Sequence, residues 1–129
     1  MDQGQQSSYH VSTQYNMWNS VRIVKFLFTL ILFFLIWSRQ ATAQGQAIAF
    51  DNRKGNCLAC HVIAGGESAG NIGPELKDMQ ARYPDKALLR QRIWDNTLFN
   101  PMTVMPPFGK HKILSEQEID LVVDYLYTL

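Results

Sequence analysis

The chain has 129 residues, with twelve Lys and Arg against eleven Asp and Glu, a formal net charge of +1 and 47% hydrophobic residues. That balance excludes a broadly basic nucleic-acid binder, and the length is that of one small domain with a leader or tail. Both cysteines fall within one five-residue stretch, which leaves none for a structural disulfide elsewhere.

Residues 2–16 are rich in Gln, Ser and Asn and show no apolar period, so they predict neither a packed element nor the short basic start of an export signal. Met17 is therefore an alternative start. Arg22 and Lys25 precede a largely apolar run over residues 26–37, and Ala41-Thr42-Ala43 then offers small residues where a signal peptidase cuts. The pattern predicts a signal peptide over residues 1–43, cleaved before Gln44. The competing expectation is an uncleaved membrane anchor, because Val21 and Ile23 extend the apolar character around Arg22. No twin-arginine pair is present, which favours export before folding.

Residues 44–129 then form the expected domain, with nine Lys and Arg against ten Asp and Glu and a formal charge of −1. At this size a core made of side chains alone is marginal. Ala47, Ile48, Ala49 and Phe50 predict a first helix over residues 46–52 that ends near Gly55. It leads directly into Cys57-Leu58-Ala59-Cys60-His61. Two thiols separated by two residues on one turn can reach both vinyl groups of a porphyrin, and the histidine that follows then faces the iron. The motif predicts covalent haem c held by Cys57 and Cys60, with His61 as one axial ligand. Three other uses of C-x-x-C compete: half a zinc site, a redox dithiol and a buried pair without chemistry. Zinc wants about four ligands and no second Cys or Cys/His pair exists; a thioredoxin-like dithiol wants a strand before it, and the flanks predict helix or loop. Haem attachment also requires export, in agreement with the leader, and its apolar mass would complete the core, so the domain should fold poorly without it.

After His61, Gly65, Gly66, Gly70 and Gly73 predict a long loop, and Gly73-Pro74 a turn. Pro84 suits a first helical turn and residues 86–94, with Leu89 and Ile93 four apart, predict a helix. A second loop spans residues 100–112, broken by Pro101, Pro106, Pro107 and Gly109. The last helix is marked by a capping box at Ser115 and Glu118 and by Ile119, Val122, Leu126 and Leu129 at helical spacing; the stripe should pack on the first helix. No strand pattern appears, so the fold class is all-α. For the sixth iron position the residues offer Met79, Met102, Met105 and His111. Met105 leads because Pro106 and Pro107 restrict its backbone; Met102 is the runner-up, and His111 between Lys110 and Lys112 reads as a solvated basic patch. Tyr83, Trp94, Phe99 and Phe108 are either crevice lining or plain core.

Gly73-Pro74-Glu75-Leu76 resembles the segment by which small cytochromes c present a proline carbonyl to the iron-bound histidine. The resemblance implies that the Pro74 oxygen accepts from His61, with Leu76 packed on the ring, in a class I cytochrome c-like domain wrapped around one haem. Residues 56–61, 70–74, the loop Asn100-Pro101 through Thr103-Val104-Met105-Pro106-Pro107-Phe108-Gly109, and Val122-Val123-Asp124-Tyr125-Leu126 are together similar to the SoxX family, monohaem cytochrome subunits of the sulfur-oxidation complex SoxAX. That resemblance implies a periplasmic heterodimer with a SoxA-like partner of one or two haems and a downstream acceptor cytochrome. It further implies an L-cysteine S-thiosulfotransferase complex in which the partner joins thiosulfate to a carrier cysteine and this subunit passes electrons on. The chain's own residues agree: with both thiols taken by haem it holds no sulfur nucleophile and no catalytic residue of its own. Two other function classes stand beside this one, a freely diffusing periplasmic electron shuttle and a haem enzyme or ligand sensor with an open sixth position.

Overall fold

The computed structural model describes the backbone of residues 5–129 and the side chains of residues 19–36 and 39–129. Four α-helices follow in order: α1 (Gln5–Phe50), α2 (Met79–Arg82), α3 (Lys86–Trp94) and α4 (Glu116–Leu126), with 3₁₀ turns at Cys57–Ala59 and Asn96–Leu98. Among the described residues there is no strand, only one isolated parallel bridge between Ile63 and Leu76. The all-α expectation holds.

The chain divides into two compact units, residues 1–38 and residues 39–129. In the first, Val21, Ile23, Phe26, Phe28, Phe34 and Ile36 are all exposed around the helix. The stretch Asn19–Phe50 is long and apolar enough to cross a membrane, a test that a signal sequence also passes. Helix already starts at Gln5, inside the polar segment whose composition predicts no element; propagation from an established helix needs no new nucleus. Met17 lies outside the residues with described side chains.

The second unit contains the core. Its first helical stretch is not a separate element beginning at residue 46 but the end of α1, which stops at Phe50 as the chain turns through Gly55, whose N–H donates to the Ile48 carbonyl. Ile48 and Ala49 of α1 join Ile63, Met79, Leu89, Ile93, Phe108, Leu114 and the α4 residues Ile119, Val122, Val123, Tyr125 and Leu126 in one buried cluster. Burying a side chain such as Ile119 contributes about 1.5–3 kcal/mol. The crossing of α1 and α4 is close because Gly45 has no side chain: a Cβ there would overlap the Leu121 carbonyl oxygen and lie 2.8 Å from Tyr125 Cβ. Phe50 meets Tyr125 edge-to-face with centroids 6.1 Å apart. The α4 stripe thus packs on the first helix as its spacing predicts, except that Leu129 lies beyond the helix end and uses its carbonyl to accept from the Met79 N–H.

Helix α4 starts with both arms of the capping box formed, Ser115 Oγ accepting from Glu118 N–H at 3.2 Å and Glu118 Oε2 accepting from Ser115 N–H at 3.0 Å. Glu118 also takes Lys54 at 2.5 Å, tying the start of α4 to the segment that enters the cysteine motif. Helix α3 is capped by Asp85, whose carboxylate accepts from Ala87 N–H at 2.9 Å; Pro84 precedes the cap rather than filling the first turn. It lies along α4 through Lys86 with Asp124 and Arg90 with Asp120 and Glu116.

Candidate haem-binding site

The cysteine motif is a tight turn. The Cys57 carbonyl accepts from both Cys60 N–H (3.2 Å) and His61 N–H (2.9 Å), which gathers two thiols and an imidazole on one 3₁₀ turn. Asn56 enters it with a left-handed backbone (φ 47°), the conformation that asparagine tolerates better than most residues. The loop after His61 then folds back over the turn: Gly70 N–H donates to the Leu58 carbonyl at 2.7 Å and Gly73 N–H to the Cys60 carbonyl at 2.8 Å. Close approach demands glycine here, since a Cβ on Gly73 would stand 2.6 Å from His61 Nδ1 and nearer still to Cε1.

Pro74 comes next, with its carbonyl oxygen 2.6 Å from His61 Nδ1. A carbonyl only accepts, so the contact puts the imidazole proton on Nδ1 and leaves the Nε2 lone pair available to a metal. Leu76 is held nearby by its N–H bond to the Val62 carbonyl and packs against the core cluster.

The two thiols are free and not joined to each other. Burial pushes the Cys57 thiol up to about 11, the opposite of the lowered value of a redox-active dithiol. Among the described residues no three His, Cys, Asp or Glu side chains converge as a metal-ion cluster, so the donor set does not suit zinc. It suits haem: two unpaired thiols, a histidine with one nitrogen fixed and the other free, and exposed apolar side chains at Ile72, Leu98, Phe99 and Val104 in the flanking loops, surface that a porphyrin would cover.

The sixth-position candidates separate sharply. Met79 is 1% exposed in the core, with Arg82 Nη1 3.6 Å from its sulfur. Met102 is 87% exposed. Met105 is half-buried against the core cluster, and its N–H donates to Thr103 Oγ1 at 3.2 Å. His111, Lys110 and Lys112 are all exposed, as the solvated basic patch predicts, and the Lys110 ammonium in addition meets the buried Asp95 carboxylate at 2.8 Å. Of the four aromatic residues, Phe108 is core and Trp94 and Tyr83 pack against it, while Phe99 lies partly exposed beneath the Arg92 guanidinium, 4.4 Å from centroid to Cζ.

Sequence reasoning missed the turn after α3. Asp95 is 3% exposed and accepts from Thr97 N–H at 3.0 Å, from the Thr97 hydroxyl and from Lys110; Lys110 and Thr97 together hold its carboxyl below the usual range. The sequence signal was an Asp followed two residues later by Thr at a helix end, a local turn motif whose long-range partner no spacing discloses.

The cytochrome c family matches residues 42–129, and a protein of Aquifex aeolicus (strain VF5) described as an uncharacterized lipoprotein is 36% identical over 81 residues, 59% of this chain. The match spans 37% of that relative's length. With a helical domain, a Cys-Cys-His turn and a family match that covers most of the chain, the conclusion is direct: this chain belongs to the cytochrome c family, as a haem electron-transfer protein that carries haem c.

Proposed function

We propose that this chain is the electron-transfer subunit of a thiosulfate-oxidising complex of the SoxAX kind, exported to the periplasm and paired there with a SoxA-like cytochrome. In this reading Cys57 and Cys60 form the thioethers and His61 binds iron through Nε2. Pro74 fixes the imidazole tautomer, and Met105 fills the sixth position. The haem supplies reversible one-electron chemistry. The residues of this chain orient it, and methionine ligation raises its potential, which suits an acceptor from a sulfur-oxidising partner.

What supports the reading is the loop Asn100-Pro101 to Gly109, in which Thr103-Val104-Met105-Pro106-Pro107-Phe108-Gly109 resembles the SoxX family and Met105, unlike Met102, is held by Thr103 and the core. The division of labour follows from the thiols. Once both are consumed, no cysteine remains to carry sulfur, so bond formation belongs to the partner and this chain moves the electrons released. The apolar helix over residues 19–36 and Ala41-Thr42-Ala43 support an exported precursor with its domain at residues 44–129.

The test is an affinity pull-down with the haem-loaded protein from its source periplasm, followed by thiosulfate-dependent haem reduction with and without the recovered partner. Reduction only with a haem-containing partner supports the assignment. Recovery of no partner would favour a freely diffusing shuttle, and reduction by thiosulfate alone would place the chemistry in this chain.

A further inference from the structure

The loop that contains Met105 is gripped at both ends by two adjacent residues, and neither belongs to the haem motif. On one side, Asn96 Nδ2 donates to Thr103 Oγ1 at 3.0 Å, and the same oxygen accepts from Met105 N–H at 3.2 Å. Asn96 is itself oriented by Arg92, whose Nη1 donates to its Oδ1 at 3.3 Å. On the other side, Asp95 takes the Lys110 ammonium at 2.8 Å, while the N–H groups of Gly109 and Lys110 both donate to the Trp94 carbonyl at 3.1 and 3.3 Å. Between the two anchors lie Pro106 and Pro107, which restrict the backbone, and Phe108, which is buried. Gly109 lies so close to the Trp94 ring that a Cβ there would stand 2.8 Å from Cζ3 and nearer to two other ring atoms.

We infer that the Trp94–Thr97 turn is a dock for the methionine loop, with Asp95 and Lys110 as its latch: they are positioning residues that hold Met105 at the sixth iron position. The inference rests on the proposed ligation by Met105. Asp95 is buried and its only charged partner among the described residues is Lys110, so removing the lysine leaves a desolvated carboxylate beside the turn and loosens that end of the loop. Opening then costs less locally, while the α1–α4 core, which contains neither residue, is unaffected. Lys112 supplies the control. It is an exposed lysine of the same loop with no ion pair among the described residues, so its removal changes the charge equally and leaves the latch closed.

The experiment measures two properties of the oxidised, haem-loaded protein: the long-wavelength sulfur-to-iron charge-transfer band and the rate of cyanide binding, which is gated by opening of the methionine loop. Lys110→Gln and Asp95→Asn should bind cyanide on the order of tenfold faster than wild type, the scale set by one lost charge-assisted hydrogen bond. Lys110→Arg should recover most of the slow rate, and Lys112→Gln should match wild type. Ile119→Val, a core truncation in α4 outside both the loop and the Trp94–Thr97 turn, should lower the global unfolding midpoint without accelerating cyanide. Met105→Ala should lack the band altogether. If Met105→Ala keeps the band, the ligand assignment fails and the dock with it. If Met105→Ala loses the band but Lys110→Gln binds cyanide no faster than Lys112→Gln, the ligand stands and the latch is wrong.

Discussion

His61 and Pro74 lie thirteen residues apart in the chain and meet at 2.6 Å, imidazole Nδ1 to carbonyl oxygen. The contact exists because Gly73 lets the backbone pass against the ring, and it decides which nitrogen of His61 keeps a lone pair free for a metal. Gly73→Ala should therefore push the ring off Pro74. We expect a lower yield of haem-loaded protein and a shifted reduction potential in what is recovered, read by spectroelectrochemistry. An unchanged potential at full yield would show that the contact does not position the ligand.

Met105 and Met102 should behave oppositely despite lying three residues apart. With Met105 as the proposed sixth ligand, Met105→Ala should abolish the sulfur-to-iron band and lower the reduction potential, since a methionine ligand raises it. Met102→Ala removes an exposed side chain and should leave both unchanged. Optical titration of the two variants reads the difference.

The start of α4 gives an acid-sensitive contribution to stability. Lys54, then the Ser115 N–H, hold the Glu118 carboxyl down to about 2 from an ordinary 4.5. A lowered carboxyl contributes in full above its unfolded value and loses that contribution as it protonates, so stability should fall between about pH 4.5 and pH 2. Glu118→Gln should flatten that slope, lowering stability near neutral pH and leaving it close to wild type near pH 2, where the wild-type carboxyl is already protonated. Urea unfolding of the haem-loaded protein from pH 6 to pH 2 measures both effects. The same pair raises the Lys54 ammonium, so its complementary contribution is present below the usual lysine range and lost only at higher pH.

Gly45 tests the helix crossing. A methyl group there would strike the Leu121 carbonyl, which belongs to backbone and cannot swing aside, so Gly45→Ala should destabilise the domain by about 1–3 kcal/mol despite its better helix propensity. A rise in urea midpoint would show that the helices are not in contact at this residue.

Much of this arrangement was legible in the sequence because local chemistry encodes it. The capping box at Ser115 and Glu118, the Leu89–Ile93 spacing and the Cys57–His61 motif each specify geometry over a few residues. What escaped depends on residues far apart. Composition around Lys110 suggests the exposed patch that is found but not its partner Asp95, fifteen residues away; that pairing arises only when the Pro-rich loop returns to the end of α3. Gly45 likewise shows no periodic signal; its meaning comes from a helix seventy-odd residues further on. The first helix is longer than its apolar periodicity suggests because that periodicity marks only its buried end, whereas residues 26–36 are almost wholly apolar and carry no face to read.

Covalent haem c requires a thioether at each of Cys57 and Cys60. Intact-mass measurement of the denatured protein, produced with a cytochrome c maturation system, tests that most directly. The predicted result is the polypeptide plus one haem, with a peroxidase stain that survives the denaturing gel. A mass equal to the bare polypeptide, with no stain, would contradict it.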